Sequence, residues 1–515
     1  MFSAVVRADV AADIAARLVG DAPRVSVDGH TLLATPVLRE LYAAPQVLWT
    51  PSRLAALEAA IDGVAADGLD AGDYLGSAIA RAADPAAREL LASEALARLA
   101  FTLHFGKANP AALDANFNYS RGFGATDPVA WLRAAIEGDR LAATLAALRP
   151  PGPYYARLVA ALAMHRALAA RGGWPRVPAG DTLEPGMRDA RVPSLRARLH
   201  AGGEVLPMVA SAEAEVYDDA LADAVRIFQY RHGLTVDALV GPATLAALNV
   251  PVAARIATLR VNLERLRWVF RDIGERYVAV NIASFGAAYL VDGAVQWSAR
   301  AIVGRPYRQT PVFRDTINYL ELNPTWTVPP TILRKDILPR LRTDPGYLVE
   351  KRLRVIDPNG GPVDPATIDW RAVRAASFPY LLRQEPGPDN ALGRIKFMFP
   401  NRHAVYLHDT PQRQLFARAE RVFSSGCIRV ENPLALATLL LADDPAWDRA
   451  ALEAAIARGR TERVRLARPV PILLLYLTAF ADPHGALHFR DDVYGRDAPV
   501  LRALEGPLRL QAPAL

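Results

Sequence analysis

The spacing of apolar residues changes character once along the chain, and that change constrains the fold more than any other feature. Through residues 50–170, stretches such as SRLAALEAAIDGVAADG, ARELLASEALARLAFTLHFG and DPVAWLRAAIEGDRLAATLAAL place Ala, Leu and Arg at helical spacing. From Tyr277 onward the runs become alternating and β-branched, as in RYVAVNIASFGAAYLVDG, VQWSARAIVG, DTINYLELN and RHAVYLH, and Gly, Pro and Asn interrupt them. A chain with helices first and strands later reads as α+β and multidomain. Its 515 residues, 51% of them hydrophobic, exceed the roughly 250–300 at which a single core stops growing, so several units are expected.

Boundaries follow from composition. RGGWPRVPAGDTLEPGMRDARVP, at 171–193, gathers Pro, Gly and Asp and marks a linker. Beyond it SLRARLHAG, YDDALADAVRIFQYRHG and GPATLAALN read as three short helices, the last with Pro242 near its start. The expected organisation is an unassigned segment over 1–30, a helical scaffold over 31–185, a three-helix module over 186–252 and a β-sandwich-like domain over 253–500. A tail over 501–515 follows. Within the β-rich part, 335–384 mixes helical stretches with many Pro and Gly residues and reads as an inserted lid. RPVPILLLYLTAFADPHGALHFRDDVYG suggests two further strands, joined at 483–485, that complete the sheet.

Composition narrows the chemistry. With Lys+Arg 60 against Asp+Glu 54, the net charge of +6 is spread along the chain and never gathered into a run, which argues against nucleic acid. A fixed anionic polymer is the more natural partner. The single cysteine rules out an internal disulfide and any multi-cysteine zinc site. The longest apolar run, 470–480, contains Pro471 and falls far short of the ~20 residues that span a bilayer, so no integral membrane segment is expected. Arg7, Asp9 and Asp13 break the apolar start, so a secretory signal is expected to have been removed or trimmed.

The chemistry concentrates at His408 and Cys427. Over 403–408, alternation points Ala404, Tyr406 and His408 to one face, with His408 ending the strand. Nineteen residues on, VFSSGCIRVEN sets Cys427 after a small Ser-Ser-Gly turn. A thiolate is the reactive form of cysteine, and a nearby imidazole can take its proton. The amides of Ser425, Gly426 and Cys427 are the expected oxyanion donors, and Arg429 suits a substrate carboxylate. Singly, a lone cysteine is commonly a core hydrophobe, His408 a satisfied strand-end histidine and Arg429 half of a surface ion pair. Their combination makes the catalytic reading the stronger one.

HDTP followed by SSGCIRVEN resembles the signature of the L,D-transpeptidase (YkuD-like) catalytic family, with Ser425 where many members have a second His. NLERLRW at 262–268, NPTWTVPPTI at 323–332, PGPDNALGRIKFMFPN at 386–401 and YLHDTP at 406–411 are similar to the large YcbB-like subgroup. AVRIFQYRHGLTVDALVGPATLAALN resembles a peptidoglycan-binding module, with Ala238 in place of the usual Gly.

The resemblance implies a periplasmic enzyme without a cofactor or metal, acting on peptidoglycan peptide stems and glycan. Cys427 attacks the third residue of a tetrapeptide stem, D-alanine leaves, and a neighbouring stem amine resolves the thioester into a 3-3 cross-link. It further implies that the backbone carbonyl of Asp409 orients His408, that Tyr406, Trp326, Phe423, Ser424 and Asn432 join Arg429 around the substrate, and that carbapenems acylate Cys427. Three rivals remain: an L,D-carboxypeptidase or wall-protein-detaching peptidase using the same site, a non-catalytic peptidoglycan-binding scaffold, and a zinc peptidase using His403 with His408 or His484 with His488.

Overall fold

The computed structural model describes residues 4–119, 127–138, 140–204 and 213–510. The chain forms two compact units, one of Met1–Asp272 with Leu477–Leu515 and one of Ile273–Tyr476.

Helices build the first unit. Helix α1 (Pro85–Phe105) is buried along most of its length; Asp84 caps it by accepting from the Ala87 amide, with Pro85 at its first position. Helix α6 (Val252–Val269) packs both against it and against α2 (Pro153–Ala170). The contacts of α6 are charged as well as apolar. Glu264, fully buried, accepts from the Ala108 amide at 2.7 Å and from Arg267 at 2.6 Å, and Arg267 also donates to the Tyr155 hydroxyl at 2.8 Å and to the Asp67 carbonyl. A buried ion pair is tolerated when surrounding groups satisfy it, and here they come from three separate elements of the same unit.

These bonds move the expected boundaries. The segment 253–272 belongs with the helices rather than with the β-rich domain, because polar residues of NLERLRW are spent on partners in the first unit, Ala108 and Thr478 among them. The strands near 483–485 do not complete the large sheet: Ala479–Ala481 and Leu487–Phe489 form a hairpin of their own, and Thr478 just before it exchanges bonds with Asn262 of α6 at 2.8 and 2.9 Å. Residues 4–30, expected only as an unassigned segment, likewise belong to this unit. They form a helix, Ala4–Leu18, and a short hairpin, and the Glu94 carboxylate of α1 accepts from the Leu33 and Ala34 amides just beyond it. The tail begins inside a helix, Asp497–Glu505, and its residues 511–515 lie outside the described ones.

The three-helix module comprises α3 (Val192–Ala201), α4 (Asp219–Arg231) and α5 (Pro242–Leu248) around Leu195, Leu199, Leu221, Val225, Phe228 and Leu248. Ala238 keeps the left-handed backbone that its usual Gly would favour (φ 64°), held by the Gln229 side chain, which accepts from the Asp237 and Ala238 amides at 3.0 and 2.9 Å. The substitution therefore leaves the turn in place.

The second unit is a sheet of nine strands: β1 (Arg276–Asn281), β2 (Gly286–Val291), β3 (Ala294–Gly304), β4 (Phe313–Leu322), β5 (Ile395–Met398), β6 (Leu407–His408), β7 (Val422–Ser424), β8 (Ile428–Val430) and β9 (Glu462–Leu475). Their order is β7-β3-β8-β6-β5-β4-β9-β1-β2, and β2 also pairs with β3. The expected sandwich is thus one sheet that returns on itself, because β3 is long enough to pair with β2 along its first half and with β8 near its end. The insert has a core of its own, with Val328, Leu338, Leu341, Val355, Trp370 and Leu382, and a four-stranded sheet that starts at Trp326, earlier than the expected 335.

Gly106 ends α1 at φ 84°, and a Cβ there would lie 2.4 Å from the Glu264 carboxylate and 2.7 Å from the Trp268 indole nitrogen. Gly106→Ala combines left-handed strain with displacement of the buried carboxylate. It is expected to destabilise the first unit by at least about 2 kcal/mol, read as a lower urea midpoint. An unchanged midpoint contradicts this role for the Glu264 network.

Candidate active site

Strands β6 and β8 run parallel, with Leu407 opposite Ile428 and His408 opposite Arg429, and the Ile428 amide donates to the Tyr406 carbonyl at 2.9 Å. Because side chains alternate along a strand, that register sets Tyr406, His408, Cys427 and Arg429 on one face and Leu407 and Ile428 on the other. The expected strand over 403–408 is shorter than its alternation suggests. Asn401 folds 401–405 into a turn, accepting from the His403 amide at 3.0 Å and donating to the Val405 carbonyl at 2.8 Å, and Ala404 has φ 51°.

His408 is buried, and its Nδ1 lies 2.5 Å from the Asp409 carbonyl oxygen. A carbonyl only accepts, so Nδ1 carries the proton and Nε2 keeps its lone pair. Burial, with the Arg429 charge beside it, pushes the imidazole down to about 3. The ring is therefore a neutral base at any physiological pH. Cys427 is half-buried and its thiol points to the Ala404 carbonyl at 3.7 Å. Burial raises this thiol, opposed by the Tyr406 amide and the charges of Lys396 and Arg429. In the resting site both partners are uncharged.

The turn before Cys427 is fixed from within. Gly426 has φ 120°, a backbone region that favours glycine. Ser424, buried, accepts from the Gly426 amide at 3.1 Å and donates to the Cys427 carbonyl at 2.6 Å. This corrects one expectation: the Gly426 amide, expected to be free for an oxyanion, is engaged by a side chain. It also makes Ser424 a brace of the loop. Phe423, half-buried on the edge strand β7, does not line the cavity beside Arg429.

Two residues absent from the sequence reading support the same turn. Thr310, fully buried, accepts from the Gly304 amide at 2.9 Å and donates to the Gly426 carbonyl at 2.8 Å. Arg308 donates to the Ser425 hydroxyl at 2.8 Å and to both carboxylate oxygens of Asp336, on the insert, at 2.5 and 3.0 Å. More than a hundred residues separate each from the turn, so no local pattern pointed to them.

Arg429 donates to Gln412 at 2.7 Å, and its buried Nε has no partner. The residue lines a cavity of about 510 Å³ together with Trp326, Tyr347, Asp336 and Gln384 of the insert and Gln412. Trp326 and Arg429 thus face one space. Asn432 lines a different cavity of about 730 Å³, which also includes Trp297, Asp409 and Arg413. His488 pairs with Asp482 at 3.0 Å, His403 packs on Phe313, and among the described residues no three His, Cys, Asp or Glu side chains converge. Among those residues no single helix is long and apolar enough to cross a membrane.

Residues 275–448 match the L,D-transpeptidase catalytic domain (YkuD), residues 36–162 a scaffold domain and residues 188–248 a peptidoglycan binding domain. A Haemophilus influenzae protein whose name assigns it to the L,D-transpeptidases is 38% identical over 242 residues, which cover 47% of this chain and 48% of that one. The Mycobacterium tuberculosis N-acetylmuramoyl-L-alanine amidase CwlM is 42% identical over 81 residues, 15% of this chain and 20% of its own. The chain thus spans about half the length of the first of these relatives and a fifth of the second. The crystal structure of a Stackebrandtia nassauensis L,D-transpeptidase aligns with 58% of this chain and 96% of its own at 11% identity, with a TM-score of 0.23, too low to define a shared fold. The chain carries an L,D-transpeptidase catalytic domain of the YkuD family together with a peptidoglycan-binding domain.

Proposed function

We propose that this protein forms 3-3 peptidoglycan cross-links by acyl transfer through Cys427. The observation that carries the reading is the parallel pairing of β6 with β8, which puts an oriented, neutral imidazole on the same face as the chain's one thiol. Nε2 of His408 takes the thiol proton as sulfur attacks the carbonyl of the third stem residue. The Ser425 and Cys427 amides receive the developing oxyanion. As the tetrahedral species collapses, His408 returns the proton to the leaving D-alanine amine, and a thioester remains on Cys427. His408 then takes a proton from an amine on a neighbouring stem, which attacks the thioester and frees the thiol.

In this reading Trp326, Tyr406 and Arg429 hold the donor stem, Arg429 through a carboxylate. In this reading the module at 188–248 holds the wall. The substrate puts the protein in the periplasm. The same thiol is open to acylation by carbapenems, whose strained amide presents a carbonyl to the same donors.

Disaccharide-tetrapeptide incubated with the protein is expected to yield dimers lacking one D-alanine, detected by mass spectrometry and absent with Cys427→Ala. Tripeptide without dimers identifies a carboxypeptidase, and unchanged tetrapeptide leaves a wall-binding role. A base held near 3 stays deprotonated throughout, so the rate of carbapenem acylation is expected to show no His inflection near ~6.5 between pH 5 and 8. An inflection there contradicts the assignment of His408 as a buried neutral base. Thr310→Val keeps shape but strips partners from the Gly304 amide and the Gly426 carbonyl. It is expected to slow acylation about tenfold and destabilise the unit by about 1–2 kcal/mol, measured by stopped-flow and urea titration. Unaltered acylation dismisses the brace.

A further inference from the structure

Across the sheet, the strand register lines up Arg429, His408, Lys396, Glu321 and Arg463 as direct neighbours on β8, β6, β5, β4 and β9. Directly opposed residues share a face, so Lys396 flanks His408 on the side away from Arg429. Its Nζ lies 4.1 Å from the centre of the Tyr406 ring, and Tyr406 is the residue that the register sets beside Cys427. The Lys396 side chain is only 13% exposed, so its charge is weakly screened. Its one carboxylate neighbour, Glu321, stands 3.4 Å away and is shared with Arg463 at the same distance. One carboxylate between two cations leaves the row positive toward Cys427.

We propose that Lys396 is a further functional residue of this site: its ammonium, seated on the Tyr406 ring, supplies with Arg429 the positive field in which the Cys427 sulfur carries negative charge during acyl transfer. A bare sulfur anion in a half-buried site is costly, and cations on either side offset that cost. The same field makes a protonated His408 a stronger acid when it must release its proton to the departing amine. The titratable and charged groups on the neighbouring strands are Tyr406 and His408 on β6, Tyr319 and Glu321 on β4, Arg463 on β9, and Arg429 on β8 with Arg305 beside it; those that bear on the sulfur are the Tyr406 amide, Lys396 and Arg429. Lys396 and Arg429 are the two cations that act on both Cys427 and His408.

The proposal rests on Cys427 being the nucleophile, but its test reads the sulfur directly and is independent of whether cross-linked dimers form. The rate of iodoacetamide alkylation of the one thiol is followed against pH in the full chain, with folding checked by circular dichroism. Lys396→Met is expected to move the inflection upward by about half to one pH unit, roughly three- to tenfold less thiolate at fixed pH, and Lys396→Arg to restore it. Glu321→Gln removes the same ion pair but keeps the ammonium, so it is expected to move the inflection downward. If Lys396 merely held the sheet through Glu321, the two neutralising variants would shift it alike, and that result, or an unmoved inflection in Lys396→Met, overturns the proposal. Should Lys396→Met fail to fold, Lys396→Gln takes its place: an upward shift supports the proposal and an unmoved inflection overturns it.

Discussion

Everything at the site depends on the two-residue parallel ladder between β6 and β8. Parallel neighbours need a crossover connection, and here the chain between His408 and Cys427 supplies it while adding β7 on the far side of β3. A slip of one residue would turn either His408 or Cys427 to the opposite face. The ladder is short, so its register is held from outside: by the Asn401 turn before β6, by the Asp409 amide donating to the Ile395 carbonyl after it, and by Ser424 and Thr310 around the turn that leads into β8.

Charge is arranged around this ladder with the same economy. The thiol and imidazole rest neutral because burial disfavours either ion, while Lys396 and Arg429 bias the pair toward a charged sulfur and an acidic imidazolium once a substrate arrives. Arg308 joins Ser425 to Asp336 of the insert, so the position of the insert and the aim of the nucleophile turn are linked by one buried guanidinium.

Much of this was legible in the sequence where the signal is local. The helices of the first unit, the three short helices around Phe228 and Leu248, and the facing of Tyr406 and His408 all follow from periodicity over a few residues. What escaped depends on partners distant in sequence. The helix Val252–Val269 looked like an entry to the strands until Glu264 and Arg267 found Ala108, Asp67 and Tyr155. The hairpin around 479–489 alternates like a sheet strand, yet the bonds of Thr478 to Asn262 draw it to the helices. The Gly426 amide looked available because the side chain that engages it, Ser424, reads from sequence as just another small turn residue.

Whether Cys427 and His408 act as one acyl-transfer pair is read from the mass of the enzyme after brief exposure to a tetrapeptide stem without acceptor. An adduct of the stem less D-alanine is expected, mapped to the peptide bearing Cys427 and lost when His408 is replaced by Gln. An adduct on another residue, or undiminished Cys427 acylation in His408→Gln, would contradict that pairing.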